Sequence, residues 1–180
     1  QLDSLRNASL IYISGGNQAN FMEAVADTEA EKGIKTAYKN GSMIAGTSAG
    51  AAVMSKKMIT GDERKHPEYT GFFPTIEANN LILAEGLGMI DNAIIDQHFI
   101  QRQRLNRLIA VCLENPEDIC IGIDESTAIH VKGDSAKVRG ESQVIVLEHP
   151  EAETTIANGL LGGKNLRLSI YLPDESFIIK

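Results

Sequence analysis

The chain has 180 residues, 43% of them hydrophobic and 23% charged, which is the composition of one ordinary domain with its own core. Its apolar runs are too short to cross a bilayer, and its formal net charge of -7 argues against a nucleic-acid-binding surface, which is normally basic. Cys112 and Cys120 lack the spacing of a zinc site or a disulfide scaffold, so we expect two buried free thiols.

Strand-like and helix-like segments alternate in the first third of the chain. Residues 9–14 and 42–45 are apolar enough for buried strands, and residues 19–32 carry apolar side chains at helical spacing. Gly33 follows that helix in the position of a C-cap, and residues 50–58 suit a second helix. This alternation predicts a parallel sheet that is covered by helices.

The middle of the chain contains a long polar segment. Residues 61–75 are charged and hold two prolines, which predicts a surface loop. Loops of this length without secondary structure are uncommon unless they have a function, so a lid over a site and a plain insertion are both open. Residues 93–95 then predict a strand, and residues 99–114 predict a helix that Pro116 closes.

The C-terminal part predicts short strands that are joined by turns. Their ranges are 119–123, 128–131, 137–139, 143–147, 166–172 and 176–179. Together the segments predict one α/β domain over residues 1–180, with a mostly parallel sheet and a small antiparallel extension near the C-terminus. Because the chain opens with Gln1 and reaches a strand soon afterwards, we expect the natural protein to begin further upstream.

Two glycine-rich segments follow predicted strands. Gly46-Thr47-Ser48-Ala49-Gly50 stands between a strand and a helix, as a nucleophile elbow does, so the Ser48 hydroxyl would be exposed and the Ala49 amide would face an oxyanion. Ser14-Gly15-Gly16-Asn17-Gln18 closes the first strand, and the Gly16 amide is a candidate for the second oxyanion donor. The alternative for both segments is a structural turn with no chemical role.

A base and an acid for Ser48 are expected at strand ends. His98 follows a predicted strand at the sheet edge where parallel sheets bind ligands, and it is the candidate base. The other histidines lie in loops or within an alternating strand: His66, His130 and His149. Asp124 and Glu125 end the strand at 119–123, so either could orient His98. Spacing does not choose between them, and such a pair can also be a solvated turn.

Three arginines follow His98 on the predicted helix, namely Arg102, Arg104 and Arg107. Guanidinium groups that cluster near a site can bind a carboxylate through two parallel hydrogen bonds. The alternative is a solvated helix face without a role in binding.

The chain resembles the cyanophycinases and their relatives in the dipeptidase E group of serine peptidases in four segments: GGNQ at 15–18, AGTSAGA at 45–51, IIDQHFIQRQRLNRL at 94–108 and GIDESTA at 122–128. The resemblance implies a flavodoxin-like three-layer sandwich related to the class I glutamine amidotransferases, with further strands before the GGNQ segment that lie upstream of Gln1. It also implies hydrolysis of cyanophycin, a polyaspartate with arginine on each side chain, to β-aspartyl-arginine dipeptides without a cofactor or metal.

Position by position, the resemblance implies that Ser48 is the nucleophile, His98 the base and Glu125 the acid. It implies a substrate pocket of polar and basic residues, namely Gln18, Asp96, Gln97, Arg102, Arg104 and Arg107. The arginines would then hold a substrate carboxylate. The substrate's own arginine would be received by an acid, with four candidates: Asp96, Asp62, Glu63 and Glu68.

Two other functions stay open, an aspartyl dipeptidase for short peptides and a catalytically silent binding protein on the same fold. A glutamine amidotransferase is disfavoured, because Ser48 stands where those enzymes use cysteine. We expect a cytoplasmic homodimer that binds a peptide or cyanophycin, with no nucleic-acid partner and no membrane span. Secretion stays open, because a signal peptide would lie upstream of Gln1.

Overall fold

A computed structural model describes residues 2–68 and 71–179 and shows a mixed α/β protein. Its helices are α1 (Leu2–Arg6), α2 (Gln18–Val25), α3 (Glu29–Lys39), α4 (Ala49–Ala52) and α5 (Leu105–Glu114). Its strands are β1 (Leu10–Ile13), β2 (Met43–Gly46), β3 (Lys57–Glu63), β4 (Leu81–Glu85), β5 (Ala93–Gln97), β6 (Ile119–Ile123), β7 (Thr127–Lys132), β8 (Ser135–Gly140), β9 (Val144–Glu148), β10 (Thr154–Ala157), β11 (Leu160–Gly163), β12 (Arg167–Tyr171) and β13 (Ser176–Ile178). Tyr69 and Thr70, within the expected loop, lie outside the described residues, as do Gln1 and Lys180.

The strands form several small sheets. β1 pairs with β2 in parallel, and β5 pairs with β6 in parallel. β9 and β12 extend the second pair in the antiparallel sense, giving the order β12-β9-β6-β5, while β3–β4, β10–β11 and β13-β8-β7 are antiparallel. The α/β class is confirmed, but the expectation of a mostly parallel sheet is wrong for the described residues. The two-residue connection between β7 and β8 shows one reason, since parallel strands need a much longer crossover.

The predicted helix over residues 19–32 is two helices. Asp27 has a positive φ of 60°, and Thr28 then caps α3 by accepting hydrogen bonds from the amides of Ala30 and Glu31. Gly33 lies inside α3 and is not a C-cap. A Cβ at this position would come within 2.9 Å of Leu5, so the glycine lets α1 pack closely on α3.

The other two predicted helices are shorter than expected. α4 is a single turn, and the segment after it forms β3. α5 begins at Leu105, because Gln103 has a positive φ of 52° and interrupts the helical backbone. Among the described residues, no helix combines the length and the apolar composition that crossing a bilayer requires.

The β5–β6 pair lies between two hydrophobic clusters. Ile95 and Ile121 belong to one cluster, whereas Ile94 and Cys120 belong to the other, since neighbouring strand residues face opposite sides. α5 covers the second cluster with Leu108 and other side chains. The polar residues at the ends of β5 and β6 are therefore held at a fixed edge of a buried sheet.

Candidate active site

Ser48 lies at a sharp turn between β2 and α4. Its backbone has φ 52° and ψ -114°, a combination that residues other than glycine rarely adopt. A Cβ at Gly46 would lie 2.1 Å from the carbonyl oxygen of Gly50, and a Cβ at Gly50 would lie 2.1 Å from that of Ile13. The two glycines therefore let the chain fold tightly back and let α4 lie against β1, in the strand-turn-helix context of a nucleophile elbow.

Ser48, His98 and Glu125 form a continuous chain of contacts. Ser48 Oγ lies 2.8 Å from His98 Nε2, and His98 Nδ1 lies 2.5 Å from Glu125 Oε1. Gln97 is paired with Ile123 across the parallel strands β5 and β6, so the residues that follow them reach the same sheet edge. In this geometry a histidine can accept a serine proton while the carboxylate holds its imidazole in one tautomer.

Asp124 makes different contacts from its neighbour Glu125. Its Oδ1 accepts hydrogen bonds of 3.0 Å from the amides of Ile100 and Gln101, and its Oδ2 accepts one of 2.8 Å from Ser142 Oγ. Desolvation by itself raises the pKa of Asp124, but the hydrogen bonds from the Gln101 amide, the Ser142 hydroxyl and other amides together lower this pKa below its ordinary value. Asp124 thus clamps the turn that follows His98.

The two expected oxyanion donors, the amides of Gly16 and Ala49, belong to residues that lie near Ser48 in the structure. Gly16 lines the same cavity as Ser48, and Ala49 is the next residue and is buried. A Cβ at Gly15 would lie 3.3 Å from Ser48 Cβ, so the loop after β1 runs against the serine. Within the described residues neither the Gly16 nor the Ala49 amide donates a hydrogen bond, which leaves both available to an oxyanion.

A cavity of about 210 Å³ opens at Ser48 and His98. It is lined by most of the residues expected in the substrate pocket, namely Gln18, Gln97, Arg102, Arg104 and Arg107, together with Gly16, Asn17, Thr60, Gly61 and Asp62. A larger cavity of about 410 Å³, beside Leu83 and Val111, contains none of the site residues expected from the sequence. The chemistry therefore points to the smaller cavity.

Asp96 is fully buried, in contrast to the expectation that it receives a substrate group. Arg107 donates from Nε to Oδ2 at 2.6 Å and from Nη2 to Oδ1, so both carboxylate oxygens are occupied. Arg104 Nη1 lies 3.5 Å from Oδ1 and donates to the backbone carbonyl of Gln97 at 2.6 Å and to its Oε1 at 2.7 Å. A direct contact with substrate would require this buried pair to open. Asp96 instead holds the arginines in place.

The three arginines thus differ in their surroundings. Arg107 is buried and also lies over the Phe73 ring, 4.5 Å from its centroid, while Arg104 is buried against Gln97. Arg102 is exposed, and its side chain forms no hydrogen bond or ion pair with any described residue. Of the three, Arg102 has the guanidinium that is most accessible to a ligand.

Asn17, Thr60 and Gly61 line the cavity although sequence reasoning did not place them there. Asn17 is part of the GGNQ segment at 15–18. In the structure it caps α2 by accepting a hydrogen bond from the Asn20 amide. The segment at Gly61 was expected in a loop but ends strand β3. A single glycine after an apolar run is a signal for a β-bulge, which could have identified Thr60 and Gly61.

Residues 1–139 match the model of a protein family that is described as "Peptidase family S51". The cyanophycinases of Trichormus variabilis and of a Nostoc species are each 35% identical over 181 residues, covering 97% of this chain and 58% of their own length. A peptidase E of Actinobacillus pleuropneumoniae is 24% identical, covering 87% of this chain and 65% of its own. The crystal structure of a peptidase from an acI-B1 Actinobacterium has a TM-score of 0.70 and 26% identity, covering 99% of this chain and 62% of that one. The chain therefore spans well under two thirds of the length of the cyanophycinases that it matches.

Proposed function

The chain belongs to peptidase family S51, and on this premise we propose that it is the catalytic part of a serine peptidase with Ser48 as nucleophile, His98 as base and Glu125 as acid. The observation that carries the proposal is the unbroken series of contacts from Ser48 through His98 to Glu125 at the mouth of a polar cavity. A chance cluster of polar side chains has no reason to combine this series with a strained elbow serine.

The proposed reaction begins when Ser48 Oγ attacks the scissile carbonyl. Because Glu125 accepts a hydrogen bond from His98 Nδ1, the Nε2 lone pair of neutral His98 faces Ser48 and takes its proton. The amides of Gly16 and Ala49 would hold the negative oxygen of the tetrahedral intermediate. His98 then gives the proton to the leaving amine, and a water molecule activated by His98 hydrolyses the acyl-enzyme.

We propose an aspartyl peptide as substrate, with cyanophycin as the first candidate. Two observations support cyanophycin: relatives named cyanophycinase are 35% identical, and the cavity contains groups of both charge signs, as a polymer of aspartate and arginine requires. The second candidate is a dipeptidase for short aspartyl peptides, which the more distant likeness to a peptidase E supports.

The proposal extends to the fold and assembly of the full-length protein. We propose that the parallel pairs β1–β2 and β5–β6 belong to one flavodoxin-like three-layer sandwich, because the site lies at strand ends as it does in such folds. A homodimer and a cytoplasmic location stay predictions, which light scattering and cell fractionation of the full-length protein would check.

The test uses the full-length protein, incubated separately with cyanophycin and with short α- and β-aspartyl peptides, and mass spectrometry of the products. We expect β-aspartyl-arginine from cyanophycin. Cleavage of the short peptides alone would favour the dipeptidase. A folded protein that cleaves neither and is not labelled by a fluorophosphonate at Ser48 would instead be a binding protein, and the proposal would be wrong.

A further inference from the structure

The charged groups around the cavity at Ser48 fall into two sets. Arg104 and Arg107 are buried, and Asp96 lies close to both guanidinium groups. Arg102 and Asp62 are exposed, and neither side chain forms an ion pair or hydrogen bond with any residue in the described part of the chain. The cavity therefore offers a ligand one accessible guanidinium and one accessible carboxylate that are not paired with each other.

A β-bulge brings Asp62 to the cavity wall. Ile59 is paired with Leu83, and the next pair joins Glu63 to Leu81, so four steps along β3 correspond to two along β4. Gly61, within the bulge, has a φ of 97°, a conformation that glycine adopts without strain. Bulges next to sites turn a side chain from its regular direction, and here the bulged residues Thr60, Gly61 and Asp62 line the cavity.

The bulge is fixed by two side chains. Gln18 Nε2 donates to the carbonyls of Ile59 at 2.7 Å and of Thr60 at 2.9 Å. Thr60 Oγ1 donates to the carbonyl of Ile82 at 3.0 Å and accepts a hydrogen bond of 3.2 Å from the Asp62 amide. The backbone of Asp62 is thus held in place before a ligand arrives, which reduces the entropy lost on binding.

The other three acids that were expected to bind the substrate's arginine do not present an accessible carboxylate to the cavity. Glu63 accepts a hydrogen bond of 2.6 Å from Asn80 Nδ2, and Glu68 is exposed but does not line the cavity. Asp96 is occupied by Arg107. Within the described residues, Asp62 is therefore the acid at this cavity whose carboxylate remains accessible.

We propose that Asp62 determines specificity by binding a basic side chain of the substrate, while Arg102 binds a substrate carboxylate. The inference rests on the proposed peptidase function and adds which residue recognises the positive charge. A guanidinium fits best, because a carboxylate can accept two parallel hydrogen bonds from it. Such a charge-assisted contact changes binding by about ten- to a hundredfold.

The test compares oligomers of β-aspartyl-arginine with the same oligomers carrying citrulline, whose urea group keeps the shape of arginine and lacks its charge. We expect the full-length wild-type protein to prefer the arginine oligomer in kcat/KM by at least about tenfold. Asp62→Asn should remove most of this preference by lowering kcat/KM for the arginine oligomer, with a change within about twofold for the citrulline oligomer. The matched control Glu68→Gln should keep the preference.

An unchanged preference in Asp62→Asn would overturn the proposal. Calorimetry of the two oligomers binding to the Ser48→Ala protein separates this outcome from a failure of the proposed peptidase function. If the wild-type protein hydrolyses nothing, tighter binding of the arginine oligomer that disappears in Ser48→Ala/Asp62→Asn still supports Asp62 as the cation-binding residue. Equal binding of the two oligomers to Ser48→Ala would refute it.

Discussion

Ser48 and His98 meet through a contact of 2.8 Å between Oγ and Nε2, and both have left-handed backbones, with φ of 52° and 53°. Such conformations cost residues other than glycine about 1–3 kcal/mol each. Around Ser48 the strained turn is accommodated by the close approach of Gly46 and Gly50, and after His98 it is held by the hydrogen bonds to Asp124. Ser48 and His98 are two of ten described residues other than glycine with a positive φ, and they are the two that exchange a proton in the proposed mechanism.

Replacing Ser48 tests the proposed nucleophile directly. Ser48→Ala should lower kcat by at least about a thousandfold, as expected when a triad member is removed. It should leave the free energy of unfolding almost unchanged, because the elbow depends on Gly46 and Gly50 and not on the hydroxyl. Steady-state kinetics, urea denaturation and fluorophosphonate labelling measure these effects. Ser135→Ala, at an exposed position of strand β8, is the control and should keep both activity and labelling. Activity that persists in Ser48→Ala would place the nucleophile elsewhere.

Replacing each of the two adjacent acids separates orientation of the histidine from support of the turn. Glu125→Gln should lower kcat by at least about a hundredfold, because an amide can hold the wrong imidazole tautomer and does not stabilise the imidazolium. Asp124→Asn should lower kcat far less, since Asp124 contacts the backbone after His98 and not its ring. Measuring kcat of both variants at saturating substrate compares the two effects. An equal or larger loss in Asp124→Asn would contradict the assignment of Glu125.

Asp124 also makes the free energy of unfolding depend on pH in the acid range. Its pKa is lowered from the ordinary 3.8, so the folded state favours the charged carboxylate. The resulting stabilisation is present above the unfolded-state pKa and is lost as the pH falls through the lower folded-state pKa. The difference in free energy of unfolding between wild type and Asp124→Asn should therefore be constant near neutral pH and shrink below about pH 4. Urea denaturation across this range measures it. A difference that did not shrink in acid would show that Asp124 does not prefer its charged form in the fold.

The strand ends that carry the candidate site could be predicted because their signals are local. β6 and the first three residues of β5 are short apolar runs that polar residues follow, and the prediction for β6 matches its bounds. The helix predicted over residues 19–32 was wrong in extent, because Thr28 caps a new helix within an otherwise helical spacing. The hairpin β10–β11 was not predicted, although its Asn158-Gly159 connection is a recognised turn signal.

The burial of Asp96 and the role of the bulge at Gly61 were harder to predict. Asp96 is buried because Arg107, in the first turn of α5, contacts the end of β5, and this tertiary contact cannot be read from local spacing. Asp62 reaches the cavity because of a register shift between β3 and β4, which depends on both strands. Local sequence patterns therefore identify the charged candidates but do not separate accessible side chains from buried ones.

The Asp96–Arg107 pair predicts a large effect on stability. Arg107→Leu should lower the free energy of unfolding by about 3–5 kcal/mol, because the buried Asp96 carboxylate loses its two hydrogen bonds from Arg107 and keeps only the longer contact of 3.5 Å with Arg104. Arg139→Leu, which breaks an exposed pair with Asp174, should change it little and is the control. The double variant Asp96→Leu/Arg107→Leu should recover part of the loss, since it also removes the buried carboxylate that has lost its hydrogen bonds to Arg107. Urea denaturation of the wild type and the three variants measures these differences. Equal losses in the two single variants would show that the buried pair stabilises the fold no more than the exposed pair does.

Arg102 gives the sharpest test of carboxylate binding, because its charge is accessible while those of Arg104 and Arg107 are held inside. Arg102→Glu should lower kcat/KM for β-aspartyl-arginine oligomers by at least about tenfold, since repulsion replaces a charge-assisted contact. Its free energy of unfolding should stay near that of the wild type. Arg104→Glu is a poorer test, because it would bring a second negative charge close to buried Asp96 and unfold part of the site. Arg139→Glu, at an exposed position of β8, should leave the kinetics unchanged. If Arg102→Glu and Arg139→Glu behave alike, Arg102 is a solvated surface residue, and the substrate carboxylate must be bound by another group.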